Sequence, residues 1–177
     1  MANKFSSIVL MFLLLVSSSY AIPSSQVNVI CGQTKNPSFC STLLNSQPSA
    51  NLKTLTQYTL NVARANITNT IKLIKVLIAQ NTNNPDAKTH YSSCLDHFDE
   101  DNGALGDLEY TEELFKKGDY QGVGVSAGSI EGDVEDCISG ESPSDPPYHD
   151  TSMLPQYAFV VELVAHIIII LSKNLGH

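Results

Sequence analysis

Residues 51–80 read NLKTLTQYTLNVARANITNTIKLIKVLIAQ, and this stretch decides the fold. Its apolar side chains recur at steps of three and four residues, which places them on one face of a helix. These residues are Leu60, Ala63, Ile67, Ile71, Ile74 and Ile78. The helix is predicted to end before residue 85, because a proline there keeps Asn84 out of the helical region. A helix with one apolar face needs neighbours that cover it.

The same period continues through most of the remaining chain. Residues 86–117 predict a second helix, residues 119–138 a weaker third one and residues 154–174 a fourth. A proline-rich linker at residues 142–147 separates the last two. No segment shows sustained alternation of a strand, and no internal repeat appears. The sequence therefore predicts an all-α fold, an antiparallel up-down four-helix bundle over residues 51–177, with residues 22–50 packed on one end.

The first 21 residues have the layout of a secretory signal peptide. Lys4 precedes an unbroken apolar run at residues 8–16, and small residues lead to a cleavage site after Ala21. A second apolar stretch, residues 158–171, is interpreted as a buried helix because Glu162 and His166 interrupt it and a bilayer requires about 20 residues. We therefore expect a secreted protein without membrane contact after cleavage. The oxidising secretory route predicts that its four cysteines are paired.

Charge is sorted along the chain by sign. The full sequence has 10 Lys+Arg, 18 Asp+Glu and a formal net charge of −8, which argues against nucleic acid as a partner. Residues 22–94 contain one acid and six bases, whereas residues 95–150 contain 16 acids and two bases. Solvated helix faces explain the charges but not this segregation. We interpret residues 95–150 as an acidic surface for a partner protein.

The sequence contains few residues that match catalytic or metal-binding motifs, and their context does not fit such a site. Residues 124–128 (GVSAG) match the G-x-S-x-G elbow, but a helix end rather than a strand precedes Ser126, so we interpret the match as chance. His90 and His97 lie two turns apart and have no H-E-x-x-H or C-x-x-C context. Residues 99–103 form an acidic turn without the ligand alternation of a calcium loop. The sequence predicts no catalytic residue, no metal and no cofactor.

A local ion pair is the simplest explanation for the two polar groups of the last helix. Glu162 and His166 are four residues apart, which is the spacing of neighbours on a helix surface. We expect them to contact each other.

The cysteines and their surroundings provide the informative pattern. Eight residues separate Cys31 from Cys40 and 42 separate Cys94 from Cys137, and four cysteines allow three pairings. Several further residues accompany this spacing: Ile30, Thr34, Asn36-Pro37, Phe39, Tyr91, Ala104-Leu105, Leu108, Gly118-Asp119-Tyr120 and Ser126-Ala127. In this combination the chain resembles the plant invertase/pectin methylesterase inhibitor family over essentially all of residues 22–177.

The resemblance implies a fold and a function. Members are secreted four-helix bundles with an N-terminal helical hairpin, here residues 22–50. Their first cysteine bridges the second and their third bridges the fourth, which implies Cys31–Cys40 and Cys94–Cys137. They inhibit by covering the active-site cleft of an enzyme. Invertase inhibitors have Pro-Lys-Phe after the Gly-Asp pair, whereas Tyr120-Gln121-Gly122 follows it here and is similar to the pectin methylesterase inhibitors.

In that branch, acidic and polar positions near the third cysteine contact the esterase. Asp96 matches such a position directly, and Asp99 and Glu100 match less closely because extra residues within 99–103 interrupt the alignment. Asp136 stands where the family commonly has threonine before the fourth cysteine, so it bears on the strength or target of inhibition. Asn66-Ile67-Thr68 is the single N-x-S/T sequon and a candidate glycosylation site.

The resulting hypothesis is a secreted inhibitor of plant pectin methylesterase, acting in the cell wall or apoplast as a monomer in a 1:1 complex. The alternative is an inhibitor of cell-wall or vacuolar acid invertase. A second alternative is a non-inhibitory binding bundle, which would require a dry, enclosed pocket among the helices.

Overall fold

The computed structural model describes residues 21–140 and 148–176, and all regular structure in these two ranges is helical. The seven helices are α1 (Ser24–Cys31), α2 (Pro37–Asn45), α3 (Leu52–Gln80), α4 (Pro85–Phe98), α5 (Ala104–Lys117), α6 (Tyr120–Ser139) and α7 (Leu154–Leu175). The predicted signal peptide, apart from Ala21, and the predicted proline-rich linker lie outside the described residues.

Short polar side chains begin several of these helices. Asn51 accepts a hydrogen bond from the backbone N–H of Thr54 at the start of α3, and Asn84 accepts one from Ala87 at the start of α4. Asp119 does the same for Gly122 at the start of α6. Each such cap satisfies a backbone donor that the first turn of a helix leaves unpaired. The predicted boundary at residues 84–85 is confirmed.

Four helical members form the bundle, and each packs against the members that precede and follow it in the chain, with the last against the first. α3 packs against α7 on one side and against α4 and α5 on the other, while α6 packs against α7 and against α4 and α5. The pair α4 and α5 together occupies the place of one long helix. The predicted all-α bundle is therefore confirmed, with α3, α4–α5, α6 and α7 as its four members.

The prediction of one continuous helix over residues 86–117 is wrong. α4 ends at Phe98 and α5 begins at Ala104. Between them, the Asp99 carboxylate accepts hydrogen bonds from the backbone N–H groups of Asp101 and Asn102, at 3.0 and 3.1 Å. This aspartate turn competes with the helical hydrogen bonds of the same backbone groups.

Aliphatic side chains from the inner faces fill the bundle core. Of the residues that define the predicted face of α3, Ile71 and Ile78 are half-buried, and the other members are buried: Leu60, Ala63, Ile67 and Ile74. The interpretation of residues 158–171 as a buried helix is also confirmed, because α7 packs against both α3 and α6. Within the described ranges α7 is the one helix with a length and composition that would suit a membrane span, and 56% of its most apolar window is buried.

α1 and α2 form a helical hairpin that closes one end of the bundle. A disulfide joins Cys31 to Cys40 with 5.4 Å between their Cα atoms. The hairpin shares a second apolar cluster with Leu55 of α3 and with Ile167 and Leu171 of α7. The predicted packing of residues 22–50 on one end is thus observed, although the domain boundary at residue 50 stays a prediction.

The expected ion pair between Glu162 and His166 is corrected, since both residues contact other elements. Glu162 Oε1 lies 2.6 Å from Nζ of Lys35, which follows α1. His166 Nδ1 lies 3.0 Å from Glu131 Oε1 on α6, and Glu131 also contacts Lys35 at 3.1 Å. The resulting cluster holds the hairpin against α6 and α7, and Glu162 and then Glu131 raise the pKa of Lys35.

Candidate functional site

The Cys94–Cys137 disulfide joins the two helices that bear two of the four expected partner-binding residues. It joins α4 to α6 with 4.5 Å between the Cα atoms, and both cysteines are buried. Asp96 follows Cys94 on α4, and Asp136 precedes Cys137 on α6, and both aspartates are exposed. The disulfide therefore restricts movement between the two helices that carry these exposed carboxylates.

The turn between α4 and α5 presents the other two expected residues. Asp99 is half-buried and uses one carboxylate oxygen to shape the turn, whereas Glu100 is exposed. Gly103 closes this turn. A Cβ atom at that position would lie 2.5 Å from the backbone carbonyl carbon of His97, so no larger residue fits there without a shift of the backbone.

Two further aspartates, which the sequence analysis did not single out, complete the acidic site. Asp133 of α6 lies beside Asp107 of α5 and shares a hydrogen bond with it. Burial raises the pKa of Asp133 to about 7, and the negative charges of Asp107, Asp136 and Asp99 add to the effect. The structure thus brings together two expected residues, Asp99 and Asp136, around a carboxyl group that was not expected.

Burial also raises the pKa of Asp107, against the opposite effect of hydrogen bonds from Asp133 and Ser129. The Oδ2 atom of Asp133 is buried and has no hydrogen-bond partner. A signal for Asp133 exists in the sequence, because it lies three residues after buried Ile130 and four before buried Cys137. That spacing places it at the edge of the buried face of α6.

A groove of about 470 Å³ between α5 and α6 continues from this acidic site. Asp107, Ser129 and Asp119 supply polar groups along it, and Tyr110 and Val125 stand at its walls. Tyr110 is 55% exposed and Val125 is 71% exposed. Exposed apolar side chains beside carboxyl groups are typical of a protein-binding surface rather than of a solvated helix face. We call this combination the α5–α6 surface: Asp99, Asp107, Tyr110, Val125, Asp133 and Asp136.

Several acidic residues of the 95–150 segment pair with basic residues of the same chain. Arg64 of α3 contacts Glu112 through two nitrogens and Glu109 through a third, each at 3.1 Å. Glu112 and then Glu109 raise the pKa of Arg64. Together with Glu131, which pairs with Lys35 and His166, these glutamates connect helices. The segregation of charge by segment therefore serves partly to join α3 and the hairpin to α5 and α6.

Ser126 is a structural residue and not a nucleophile. It is buried in the middle of α6, 6% exposed, where its hydroxyl contacts Thr111 Oγ1 at 2.8 Å and donates to the Asp107 carbonyl oxygen at 3.1 Å. The strained strand-to-helix turn of a nucleophile elbow is absent at this position, since α6 is helical from Tyr120 to Ser139. The interpretation of GVSAG as a chance match agrees with this geometry.

His90 of α4 contacts the segment that precedes α7. His90 stacks on Tyr148 with 4.5 Å between ring centroids and lies 3.6 Å from Asp150. Burial lowers the pKa of His90, and the nearby Asp150 opposes this. Tyr91 donates to Asp150 at 3.0 Å and thereby fixes the segment before α7 against α4. Among the residues that the structure describes, no group of three or more His, Cys, Asp and Glu is arranged to hold a metal ion.

Asn66 lies on α3, on the side of the bundle that faces α7. Its amide Nδ2 donates to the Val62 carbonyl oxygen at 2.8 Å, and the residue is half-buried. It borders a groove of about 230 Å³ between α3 and α7, apart from the α5–α6 surface. Its glycosylation stays a prediction at this point.

The sequence is similar to known inhibitor proteins. The family model described as plant invertase/pectin methylesterase inhibitor matches residues 25–155. Pectinesterase inhibitor 1 of Arabidopsis thaliana is 38% identical over 130 residues, which cover 73% of this chain and 72% of that protein. Pectinesterase inhibitor of Actinidia deliciosa is 28% identical over 155 residues, which cover 84% of this chain and 78% of that protein.

Solved structures agree with these relatives. A mutant form of a pectin methylesterase inhibitor from Arabidopsis superimposes with a TM-score of 0.72 at 26% identity, covering 84% of this chain and 95% of that one. A pectin methylesterase inhibitor from Arabidopsis thaliana superimposes with a TM-score of 0.63 at 27% identity, covering 88% of this chain and 99% of that one. The bundle, its hairpin and the sequence match lead to one conclusion: the chain belongs to the plant invertase/pectin methylesterase inhibitor family.

Proposed function

We propose that this protein binds a plant pectin methylesterase and blocks substrate access to its catalytic cleft. The relatives named above are pectinesterase inhibitors, and one of them is 38% identical. Tyr120 after the Gly118-Asp119 pair supports the same branch, because the Pro-Lys-Phe sequence of the invertase inhibitors is missing from this position. In this account the protein is an inhibitor and performs no chemistry of its own.

The observation that supports this proposal most is the α5–α6 surface. It combines carboxylates of α5, α6 and the turn before α5 with two exposed apolar side chains beside a groove, and the Cys94–Cys137 bridge ties α6 to α4. A bundle that presents such a surface can bind a partner as a rigid body, so little ordering entropy is lost on association. Asp96 and Glu100 extend the negative potential toward α4 and steer a basic partner.

The sequence also supports a compartment in which the protein acts. A cleaved signal peptide at residues 1–21 directs the protein to the secretory route, and the two disulfides suit an oxidising compartment. We therefore place the protein in the apoplast or cell wall, with residues 22–50 as the hairpin and residues 51–177 as the bundle of one inhibitor domain. We expect a monomer that forms a 1:1 complex with the esterase.

The experiment is a titration of pectin methylesterase with protein purified from a secretory host. Activity on pectin at mildly acidic pH should fall in proportion to added inhibitor and vanish near one equivalent, and light scattering should give the mass of a 1:1 complex. A parallel titration of an acid invertase should leave its activity unchanged. Full esterase activity in the presence of excess protein, together with a loss of invertase activity, would contradict the proposal and identify an invertase inhibitor.

The remaining alternative, a non-inhibitory binding bundle, has less support. The grooves beside α6 are open to solvent, and the one between α5 and α6 is lined by both polar and apolar groups. A small apolar ligand prefers a concave site that buries most of its surface.

A further inference from the structure

The sequon at Asn66 lies beside an exposed apolar patch that is not part of the α5–α6 surface. Asn66 borders the groove between α3 and α7 whose other lining residues are Met153, Gln156, Tyr157 and Val160. Met153 is 51% exposed and Tyr157 is 41% exposed. Neighbouring exposed apolar side chains of this kind usually receive a cover, which residues 21–140 and 148–176 do not supply here.

We propose that Asn66 bears an N-linked glycan whose first sugar rings lie over Met153, Tyr157 and Val160. This inference rests on the proposed entry into the secretory route. The C–H face of a pyranose ring is apolar and slightly positive, and it packs well on the negative face of a tyrosine ring. The amide and hydroxyl groups of the sugar remain available to Gln156 and to water. The cover would therefore be chemically matched to the groove.

The modification is compatible with the observed hydrogen bond of Asn66. In the transfer, Nδ2 bonds to the anomeric carbon of a lipid-linked oligosaccharide, and the bond from that carbon to the lipid pyrophosphate breaks with its electron pair left on the pyrophosphate. Nδ2 gives one of its two protons to a carboxylate of the transferase, which passes it to water. The remaining N–H can still donate to the Val62 carbonyl oxygen, which it reaches at 2.8 Å in the folded chain. Transfer takes place on the chain as it is translocated, before α3 is folded, so the helical position of Asn66 is no obstacle.

The position of the glycan leaves the α5–α6 surface free. α3 and α6 are diagonal members of the bundle and share no contact, so the α3–α7 groove and the α5–α6 groove open on opposite sides. A glycan at Asn66 should therefore protect one side of the molecule without affecting inhibition. This separation allows the modification and the proposed function to be tested independently.

The first experiment determines whether the glycan is present. The full chain is expressed in plant cells, and the secreted protein is digested with a peptide N-glycosidase, which leaves aspartate in place of a glycosylated asparagine. We expect a fall in mass and Asp at position 66, no glycan in Asn66→Gln or Thr68→Ala, and a retained glycan in Thr68→Ser. A secreted protein with unmodified Asn66 overturns the proposal alone, whereas failure of the chain to enter the secretory route overturns both this proposal and the proposed localisation.

The second experiment determines where the glycan lies. Met153 is the single methionine of residues 22–177, so the oxygen that dilute peroxide adds to methionine reports on this groove in the intact protein. Oxidation should be several-fold slower in the glycosylated protein than in Asn66→Gln. Tyr157→Ser in the glycosylated protein should restore the faster rate, whereas Tyr110→Ser, on the other side of the bundle, should not. Equal oxidation rates with and without the glycan would overturn the covering of the patch.

Discussion

The carboxyl group of Asp133 on α6 lies beside that of Asp107 on α5, and the two share a hydrogen bond at a half-buried position. Two carboxylates in contact cannot both be ionised at low cost, so one of them holds a proton near neutral pH. Burial first, and then this contact with Asp107, raise the pKa of Asp133 to about 7. The pair lies inside the surface that we assign to the esterase, where its charge depends on the pH of the medium.

The first prediction concerns stability against pH. The pKa of Asp133 is raised from 3.8 to about 7 on folding, so its contribution to stability is complete below pH 3.8 and is lost as the pH rises through about 7. Thermal unfolding of the wild type, compared with Asp133→Asn, should show this loss between about pH 4 and 7 as a difference of slope. One proton accounts for at most about 1.4 kcal/mol per pH unit.

His90 has the opposite pH dependence, because its pKa is lowered on folding and its contribution grows as the pH rises. For this reason the test uses the difference between the wild type and the variant rather than either curve alone. Parallel curves for the two proteins would contradict the account of the Asp107–Asp133 pair.

A second prediction compares glycines within α6. A Cβ atom at Gly128 or Gly132 would have no neighbour within 4 Å, whereas at Gly124 it would lie 2.8 Å from Ser172 Oγ on α7. Gly128→Ala and Gly132→Ala should each raise the free energy of unfolding by about 0.8–1 kcal/mol, because alanine favours the helix. Gly124→Ala should gain less or lose stability, since Ser172 must move. Equal gains at the three positions in denaturant unfolding would contradict the close approach of α6 and α7.

The third prediction ranks the disulfides. Loop-closure entropy gives roughly 4 kcal/mol for Cys94–Cys137 and roughly 2.6 kcal/mol for Cys31–Cys40, which close loops with sequence separations of 43 and 9. The paired replacement Cys94→Ser with Cys137→Ser should therefore cost more stability than Cys31→Ser with Cys40→Ser. It should also weaken inhibition, because α4 and α6 lose their covalent connection. A larger loss from the hairpin pair would show that the bundle does not depend on the longer loop.

The fourth prediction separates packing from chemistry at Ser126. Ser126→Ala removes the hydroxyl that contacts Thr111 and the Asp107 carbonyl, so unfolding should become easier by about 1 kcal/mol. Inhibition should stay unchanged, and neither the variant nor the wild type should hydrolyse a model ester. Ester hydrolysis by the wild type that disappears in the variant would restore the nucleophile interpretation.

The helices of this protein could be predicted from sequence because their apolar residues are regularly spaced. Asparagine and proline residues also mark where several of them begin. The break between α4 and α5 was missed for a physical reason. Phe98 and Leu105 are seven residues apart, which is two helical turns, so the apolar period stays in phase across the intervening turn. The turn depends instead on the hydrogen bonds of Asp99, which the period does not record.

The candidate site was only partly accessible from sequence. The family resemblance pointed to Asp96, Asp99, Glu100 and Asp136 through their positions around the third and fourth cysteines. The contact of Asp107 with Asp133 brings two helices together, and no local pattern encodes it. In the same way, the four-residue spacing of Glu162 and His166 suggested a local pair, whereas their side chains contact Lys35 and Glu131 on other elements.

The central claim is that the α5–α6 surface binds the esterase, and the most direct test is the affinity of a charge-reversed variant. Asp136→Lys places a positive charge within this surface, while Glu113→Lys makes the same change at an exposed residue of α5 that contacts Lys117. Calorimetric titration of pectin methylesterase should give a Kd at least about tenfold higher for Asp136→Lys, with the wild-type value for Glu113→Lys. The same Kd for the wild type and Asp136→Lys, with both proteins folded, would contradict the assignment of this surface.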